Sequence, residues 1–331
     1  IGSGLVGSEM CIRDRYYIMS ATRSICDNKA VVYLLSVLAI VLWGMSYIWS
    51  DRLIALGVPI SYFVPLRIFV AGIILLLFNI LTKNFRLIAR KDIWKFLLLA
   101  LFEPLIYFFC ETYGIKETGS PTISAMIIAS VPIFSVGAGA LFFKERISIL
   151  NGFGIAVTLA GICLVLLKQG GDEGVPQNFI LGVVLLMIAV FSEVGHASLT
   201  KLLADGYKPQ VIVMYQFLIG TVYFLPFFLT RGIENFDTRL VSWEVLEPIL
   251  CLAVLCSSLA FSLWAMAIKK LGVGKSSVFL AMMCVATALV AEVIGREHLS
   301  LFQWLGVLIA VLGIVLSQYC CTKKSEIKCG R

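Results

Sequence analysis

Two stretches of the chain decide its fold, because one is a copy of the other. ASVPIFSVGAGALFFKERISILNGFGIAVTLAGICLVL covers residues 129–166, and LAMMCVATALVAEVIGREHLSLFQWLGVLIAVLGIVLS covers residues 280–317. The positions that match, at an offset of 152 residues, are Glu145 with Glu297, Ser148 with Ser300, Gly154 with Gly306 and Gly161 with Gly313. Each copy holds two apolar runs around a short charged turn, which predicts a duplicated pair of apolar helices.

The whole chain is too apolar for a water-soluble protein. Of its 331 residues, 60% are hydrophobic and 14% are charged, whereas soluble domains have about 45–50% apolar and about 25% charged residues. This composition excludes a soluble enzyme, a nucleic-acid binder and a disordered chain. The net charge of +7 then indicates basic cytoplasmic loops of an integral membrane protein, and not a nucleic-acid surface.

Apolar runs of membrane-spanning length divide the chain into ten segments. About 20 helical residues cross the hydrocarbon core of a bilayer. The predicted spans are 31–50, 60–82, 93–114, 121–143, 149–167, 179–200, 210–230, 245–268, 274–295 and 301–320. The fold class predicted is an all-α integral membrane protein with ten transmembrane helices.

The distribution of Lys and Arg predicts the orientation. If the N-terminus is cytoplasmic, the inner segments after residue 15 carry 18 Lys and Arg, and the outer segments carry 6. Basic residues accumulate in cytoplasmic loops. We therefore expect a multi-pass protein of the inner (plasma) membrane with both termini in the cytoplasm.

A weaker match extends the duplication to the whole chain. At an offset of 149 residues, Arg52 matches Lys201, Gly57 matches Gly206 and Arg67 matches Gln216. Spans 1–5 and 6–10 are then two copies of one unit, and an odd number of spans gives the copies opposite orientations. Inverted repeats are typical of secondary transporters that open a midplane site alternately to the two sides.

The ends of the chain stand apart from the two copies. Residues 1–30 form a predicted cytoplasmic lead, and its first 15 residues resemble translated sequencing-adapter read-through, which makes Met19 a plausible start. The two repeats are predicted at 31–168 and 179–320. A basic cytoplasmic tail is predicted at 321–331.

The ordered motifs resemble the drug/metabolite transporter superfamily, in its ten-helix EamA branch. The motifs that carry the resemblance are Trp43-Gly44-x-Ser46 in span 1, Arg67 in span 2, Pro132 in span 4, the turns with Glu145 and Glu297, and the paired glycines of spans 5 and 10. The second half departs from the first, with Ser192-Glu193 at the place of Trp43-Gly44 and Cys284 at the place of Pro132. The resemblance implies export of small metabolites, amino acids or amphipathic drugs, in some members driven by protons.

Ionisable side chains inside predicted spans are costly and indicate a cavity or a partner. Glu103, Tyr107 and Glu111 are spaced i, i+4, i+8 and share one face of span 3, so they form a cavity wall or a set of structural hydrogen bonds. Pro104 is expected to interrupt the helix beside Glu103. Arg67 either neutralises Glu111 or offers a bidentate clamp for a substrate carboxylate.

Glu193 and His196 lie one helical turn apart on span 6. A buried carboxylate and an imidazole can pass a proton between them, which predicts a relay for antiport. The alternative is a hydrogen-bonded core pair that does not titrate in the working range.

Other residues are expected to line or frame the cavity. Trp43, Tyr47 and Trp264 suit amphipathic, aromatic or cationic substrates, and Gln216 is a cavity residue because it matches Arg67. Glu145 and Glu297 are predicted to cap the helices that follow them. The paired glycines are expected to allow close helix packing, within the bundle or at a dimer contact.

No metal or cofactor is predicted. The ten cysteines form no C-x-x-C pair and the chain has two histidines, so neither a zinc site nor a disulfide framework is expected. No P-loop or hydrolase motif is present. The expected partners are a small-molecule substrate and the lipid bilayer, without nucleic acid, and the oligomeric state is a monomer or a homodimer.

The sequence therefore predicts a secondary transporter that exports small metabolites, amino acids or amphipathic compounds by alternating access, with proton coupling open. An uncoupled uptake or exchange carrier is the alternative within transport. An intramembrane enzyme that uses Glu103, Glu193 and His196 as acid and base groups is the alternative from another class, and the duplication argues against it.

Overall fold

The chain is helical wherever the structure describes it. A computed structural model describes residues 29–134, 149–167, 176–232, 238–271, 278–295 and 298–329. Within these ranges there is no β-strand. An α-helix satisfies its backbone hydrogen bonds internally, as a hydrocarbon environment requires, so the predicted all-α class is confirmed for this part of the chain.

The helices follow the apolar runs in chain order. The first half of the described chain contains α1 (Lys29–Ala55), α2 (Ile60–Leu81), α3 (Ile93–Ala100), α4 (Tyr107–Thr118), α5 (Pro121–Ile128) and α6 (Ile149–Leu167). The second half contains α7 (Phe179–Ala204), α8 (Pro209–Phe227), α9 (Trp243–Cys251), α10 (Phe261–Leu271), α11 (Ala281–Ile294) and α12 (Leu301–Cys329). Three π-helical segments, Leu101–Ile106, Phe228–Gly232 and Leu252–Ala260, join or extend these helices.

Helix length and composition match a membrane protein. Within the described ranges, six helical stretches are long and apolar enough to cross a membrane: Val31–Ala55, Ile60–Leu81, Arg90–Thr118, Phe179–Ala204, Pro209–Gly232 and Trp243–Lys270. Four shorter apolar helices are Pro121–Phe134, Ala156–Val165, Met282–Ile294 and Leu301–Leu316. Every predicted span therefore contains apolar helix, and six of them reach crossing length.

The outer surface of the bundle is apolar. Val293 is 85% exposed and Ile180 is 78% exposed, which water would not favour for side chains of this size. Arg67, by contrast, is 2% exposed. An apolar surface around buried polar side chains is the arrangement that a lipid environment favours.

Helices α6 and α12 pack against each other through the paired glycines. A Cβ atom built on Gly161 would lie 2.4 Å from the Ala310 nitrogen, and one built on Gly313 would lie 2.4 Å from the Thr158 nitrogen. Backbone thus meets backbone at both positions. The expected close packing by small residues is confirmed, and it occurs inside the bundle.

Polar contacts join loops at each end of the bundle. At one end, Arg52 Nη1 lies 2.9 Å from Glu247 Oε2. At the other, Arg86 Nη1 donates to the Gly206 carbonyl at 3.0 Å, and the Lys208 ammonium donates to Asn84. These contacts place the loop after α2 and the loop after α7 at the same end of the bundle.

Some sequence predictions fall outside the described residues. These are the lead before residue 29, the glutamates Glu145 and Glu297, and the parts of two predicted spans at 135–143 and 274–277. The helix that follows Glu297 begins at Leu301, where Ser300 is hydrogen-bonded to Gln303 at 2.9 Å and 3.0 Å.

Candidate functional site

A small cavity lies at the centre of the bundle, between helices of both halves. About 40 Å³ of it can accommodate the centre of a water molecule, which is room for a few waters. Its walls include residues predicted from the sequence, namely Trp43, Tyr47, Arg67, Glu103, Tyr107, Glu111, Glu193, His196 and Trp264. The sequence analysis missed Phe108, Ile128, Val131, Phe261, Leu280 and Met283, because apolar wall residues look like any other lipid-embedded residue.

An interruption of the third span brings Glu103 into this cavity. The Glu103 backbone is extended (φ −138°, ψ 121°), and Pro104 follows it. The expected interruption at Pro104 is therefore present. Ser192 Oγ donates to the Phe102 carbonyl at 2.7 Å, so a side chain of α7 supports the backbone beside the break. The Glu103 carboxyl is 2% exposed.

Glu103 meets the predicted relay residues of α7. His196 Nδ1 lies 2.8 Å from Glu103 Oε2 and 3.1 Å from Glu193 Oε2. The bond to Glu193 has hydrogen-bond geometry, whereas Glu103 Oε2 lacks a regular hydrogen bond to any described residue. One imidazole nitrogen thus faces two carboxyl groups; we call these three side chains the carboxyl–imidazole cluster.

The other imidazole nitrogen faces neutral side chains. His196 Nε2 lies 3.2 Å from Gln216 Oε1 and 3.3 Å from Thr200 Oγ1. An ionised carboxylate and an amide oxygen both accept hydrogen bonds. The surroundings of His196 therefore suit an imidazolium that donates from both nitrogens. The sequence match to Arg67 predicts that Gln216 lines the cavity; it contacts His196 but is not among the residues that line the cavity.

The cluster also has the residue types of a metal site. The candidate ligand atoms of Glu103, Glu193 and His196 lie within 4.8 Å of one another. Ligands bound to one zinc ion at about 2.0–2.2 Å are about 3.4 Å apart in a tetrahedral site. The nitrogen–oxygen distances of 2.8 Å and 3.1 Å are shorter and are those of hydrogen-bonded groups.

Arg67 lies in the same cavity and does not form the predicted ion pair. Its Nε donates to Ser257 Oγ at 3.2 Å, and its guanidinium carbon lies 4.3 Å from the centre of the Phe108 ring. No Glu111 oxygen lies within the 4.0 Å of an ion pair, both residues being in the described ranges. The structure therefore does not contain the direct Arg67–Glu111 ion pair, which was one of the two hypotheses for Arg67.

Glu111 is bonded within its own helix instead. The Tyr107 hydroxyl donates to Glu111 Oε1 at 3.1 Å, and both side chains are buried. Tyr107 and Glu111 share one face of α4, as their spacing predicts. The Tyr47 hydroxyl faces them from α1 but has no regular hydrogen bond to a described residue.

Aromatic rings form the apolar side of the cavity. The Trp43 ring centre lies 4.9 Å from that of Phe261 and 5.4 Å from that of Trp264. Trp43 Nε1 donates to the Cys256 carbonyl at 3.1 Å, inside the π-helical segment of the second half. A carbonyl of that segment thus holds Trp43 in place against α10.

Other intramembrane polar residues lie away from the cavity. The Tyr215 hydroxyl donates to the Arg86 carbonyl at 3.0 Å, and the Tyr223 hydroxyl donates to the Leu97 carbonyl at 3.2 Å. Glu292 accepts from the Leu299 N–H at 2.9 Å near the end of α11. These three side chains connect elements of the bundle and do not enter the cavity.

Comparison with known proteins identifies the family. The model of the EamA-like transporter family matches residues 30–167 and, a second time, residues 180–319. The chain belongs to the EamA-like transporter family. The resemblance drawn from its motifs is thereby confirmed, and family membership makes an enzyme unlikely.

Curated relatives of this EamA-like chain are also named as transporters. It is 24% identical to the uncharacterized transporter YetK of Bacillus subtilis over 302 residues. This match covers 91% of each of the two chains. It is 25% identical to the uncharacterized inner membrane transporter YicL of Salmonella typhimurium, over 84% of this chain and 92% of that one. A probable terminal-alkyne amino-acid exporter of Streptantibioticus cattleyicolor is 28% identical over 55% of this chain and 56% of its own length.

A solved structure shares the fold. The crystal structure of another protein superimposes on this chain with a TM-score of 0.67. The two sequences are 17% identical, and the match covers 89% of this chain and 99% of the other. At this identity the likeness shows the fold alone. Together, the apolar helices and the relatives make the EamA-like chain a multi-pass membrane transporter.

Proposed function

We propose that the chain is a secondary active transporter of the inner (plasma) membrane that exports small organic solutes by alternating access and couples export to protons. The observation that carries this proposal is the carboxyl–imidazole cluster inside a cavity between the two halves. The cluster brings two carboxyl groups within 3.1 Å of one imidazole nitrogen, at a place where a solute would pass.

Two opposed five-span repeats are the proposed machinery. The family model matches the chain twice, and the helix contacts support the same division. α2 packs on α8 and α6 packs on α12, each pair being equivalent positions of the two halves. Helices α1 and α7 begin the two halves and make equivalent contacts. Helix α1 contacts α11, and α7 contacts α5. Helix α1 also contacts the segment Leu252–Ala260, and α7 contacts the segment Leu101–Ile106. Exchange of the halves therefore reproduces the main contacts, as an inverted repeat requires.

The two π-helical segments support a midplane site. Leu101–Ile106 and Leu252–Ala260 occupy corresponding positions of the halves, and both lie beside the cavity. Interrupted helices frequently mark functional sites in membranes, because the irregular backbone must line a cavity or contact protein. The second segment has Leu255 and Cys256 where the first has Glu103 and Pro104, so only the first repeat supplies a carboxyl group there.

The charges of the cluster support proton binding. With Glu103 and Glu193 ionised and His196 protonated, the cluster carries one net negative charge, and one further proton makes it neutral. Two side chains from neighbouring helices also interact electrostatically with the cluster: Tyr107 from α4 and Arg67 from α2. One proton bound by the cluster would remove this net charge, which is costly inside a membrane.

Converging basic loops support the proposed orientation with cytoplasmic termini. A second cavity of about 260 Å³ is lined by Arg86, Lys208 and Lys269. These residues come from the loop after α2, the loop after α7 and the end of α10. All three segments are predicted to be cytoplasmic, and they meet at one end of the bundle, as the positive-inside rule requires.

The exporter among the relatives suggests amino acids as a solute class. Its printed name assigns it terminal-alkyne amino acids. Cavity walls of Trp43, Phe261 and Trp264 beside charged groups of both signs suit a small zwitterion with an apolar side chain. An uncoupled carrier that exchanges solutes without protons could use the same cavity walls. Its transport would not depend on a titratable carboxyl–imidazole cluster.

Reconstituted protein tests the proposal. We expect counterflow of a labelled amino acid in proteoliposomes, and a pH gradient that drives accumulation beyond equilibrium. Glu193→Gln should keep counterflow and lose the accumulation driven by the gradient, because the cluster loses a titratable group. Glu244→Gln, a change of an exposed glutamate, is the matched control.

Three results would contradict the proposal. Full gradient-driven accumulation by Glu193→Gln would remove this residue from coupling. Accumulation independent of pH in the parent protein would indicate the uncoupled carrier. A chemically altered solute would indicate an enzyme.

A further inference from the structure

Arg67 is a buried cation held by neutral partners. It is 2% exposed, and its hydrogen bond and ring contact are made with Ser257 and Phe108. Within the described residues no acidic oxygen lies inside the 4.0 Å of an ion pair with it. Glu111 is the acidic group that acts most strongly on Arg67, from beyond contact distance. A buried charge without a contacting counter-ion costs several kcal/mol. The position therefore favours an anion that arrives from elsewhere.

Two hydrogen-bond donors of the cavity, Arg67 Nη1 and the Tyr47 hydroxyl, lack a hydrogen bond of regular geometry to any residue in the described ranges. One of them, the Tyr47 hydroxyl, lies next to the Glu111 and Tyr107 side chains. Arg67 and Tyr47 both line the central cavity, and Tyr47 is 1% exposed. Buried donors are nearly always satisfied in a folded protein, so two unsatisfied donors in one cavity indicate a ligand with acceptor oxygens.

The charge of the cavity limits which anion fits. Glu103, Glu111 and Glu193 line it together with two basic side chains, Arg67 and His196. A doubly charged group such as a phosphate monoester would meet more negative than positive charge. Because the three carboxyl groups already outnumber the two basic side chains, the carboxylate that fits is that of a zwitterion, whose ammonium group offsets its charge. The two oxygens of a carboxylate match the planar donor fork of a guanidinium.

We propose that Arg67 Nη1 and the Tyr47 hydroxyl bind the carboxylate of the transported solute, at a subsite separate from the carboxyl–imidazole cluster. This inference rests on the proposed transport function and specifies its cargo. The solute carries one carboxylate next to an apolar group, which lies against Trp43, Phe261 and Trp264. Glu111 and its Tyr107 hydrogen bond lie on the same face, where an ammonium group of a zwitterion finds its partner.

Ligand-induced stabilisation of the purified full chain tests this subsite without any proton gradient. The probes are pairs that differ only in the carboxylate: acetate with acetamide, phenylacetate with phenylacetamide, and L-phenylalanine with L-phenylalaninamide. A ligand that binds the folded protein raises its unfolding temperature. We expect the carboxylate of at least one pair to stabilise the parent protein more than its amide.

Matched variants assign the effect to the two donors. Tyr47→Phe removes one hydroxyl and keeps the ring, and Arg67→Lys keeps the charge and removes the fork. Each should weaken the carboxylate about tenfold or more and leave the amide unchanged, since a lost charge-assisted hydrogen bond costs about 1.5–3 kcal/mol. Tyr113→Phe, at a residue that does not line the cavity, should retain the preference for the carboxylate.

The possible failures are distinguishable. A parent protein in which no carboxylate exceeds its amide has no such subsite, even if gradient-driven transport is intact. Equal stabilisation by sodium chloride would reassign the donors to an inorganic anion. A carboxylate preference that survives in both Tyr47→Phe and Arg67→Lys would also overturn the assignment. Loss of proton coupling alone would leave this subsite standing and refute only the proposed coupling.

Discussion

Single polar side chains connect the two halves of this bundle. The Tyr207 hydroxyl accepts from the Ala89 N–H at 2.9 Å and donates to Asp92 Oδ2 at 3.1 Å. Asp92 in turn accepts from Lys95 at 2.8 Å. The loop before α3 is thereby fastened to the loop after α7 by one phenol, next to the basic loops at that end.

Removal of this phenol should destabilise the protein. Tyr207→Phe leaves the Ala89 N–H and one Asp92 oxygen with fewer partners, and we expect a loss of about 1–3 kcal/mol in the free energy of unfolding. The measurement is the unfolding temperature in detergent. Tyr113→Phe is the control, because the Tyr113 hydroxyl makes no hydrogen bond to a described residue. Equal unfolding temperatures of parent and Tyr207→Phe would show that water replaces the bonds without cost.

At the scale of helices, the pair α6 and α12 depends on small residues. Thr158 Oγ1 donates to the Gly154 carbonyl at 2.9 Å and lies 3.4 Å from the Ala310 carbonyl. Hydrophobic attraction between helices is weak in lipid, because hydrocarbon chains are equally apolar. Close backbone approach is therefore what stabilises this pair.

One added methyl group should separate these helices. Gly161→Ala places a Cβ 2.4 Å from the Ala310 nitrogen and 2.7 Å from the Gly306 carbonyl oxygen. Both are backbone atoms, so the helices must move apart, at a cost of about 1–3 kcal/mol. We expect a lower unfolding temperature for Gly161→Ala. Gly206→Ala, with no contact closer than 3.9 Å, should leave it unchanged.

Over the whole molecule, polar contacts join the two halves at both ends of the bundle. Arg52 at the end of α1 and Glu247 in α9 form an ion pair at one end, and Arg86 reaches Gly206 at the other. Transport by alternating access requires that such contacts break in turn. The Arg52–Glu247 pair is partly exposed, so its contribution to stability is small, about 0–1 kcal/mol, as suits a contact that would open in the proposed mechanism.

A cleavable cross-link should test this movement. In a chain without other cysteines, Arg52→Cys with Glu247→Cys joined by a reducible bifunctional reagent should block transport, and reduction should restore it. Each single cysteine treated with the same reagent is the control. Unimpaired transport by the cross-linked protein would show that this end does not need to open.

The amino-acid sequence by itself determined the membrane environment, the apolar helices and the duplication. Composition and the length of apolar runs report directly on burial in lipid, and a repeated pattern needs no structure to be seen. It also identified which polar residues are unusual, because a charge such as that of Arg67 or Glu193 is costly wherever it lies in a span.

Only the tertiary structure decided which of these residues meet. His196 contacts Glu103, which is 93 residues away, and Arg67 contacts Ser257 and Phe108 in place of Glu111. Partner choice depends on the rotation of each helix about its axis and on shape at close contacts. Hydropathy does not report either of them for helices such as α1 and α8, whose apolar residues lie on all sides. The interruption at Glu103 then turns one carboxyl group toward the imidazole, and that contact creates the proposed coupling site.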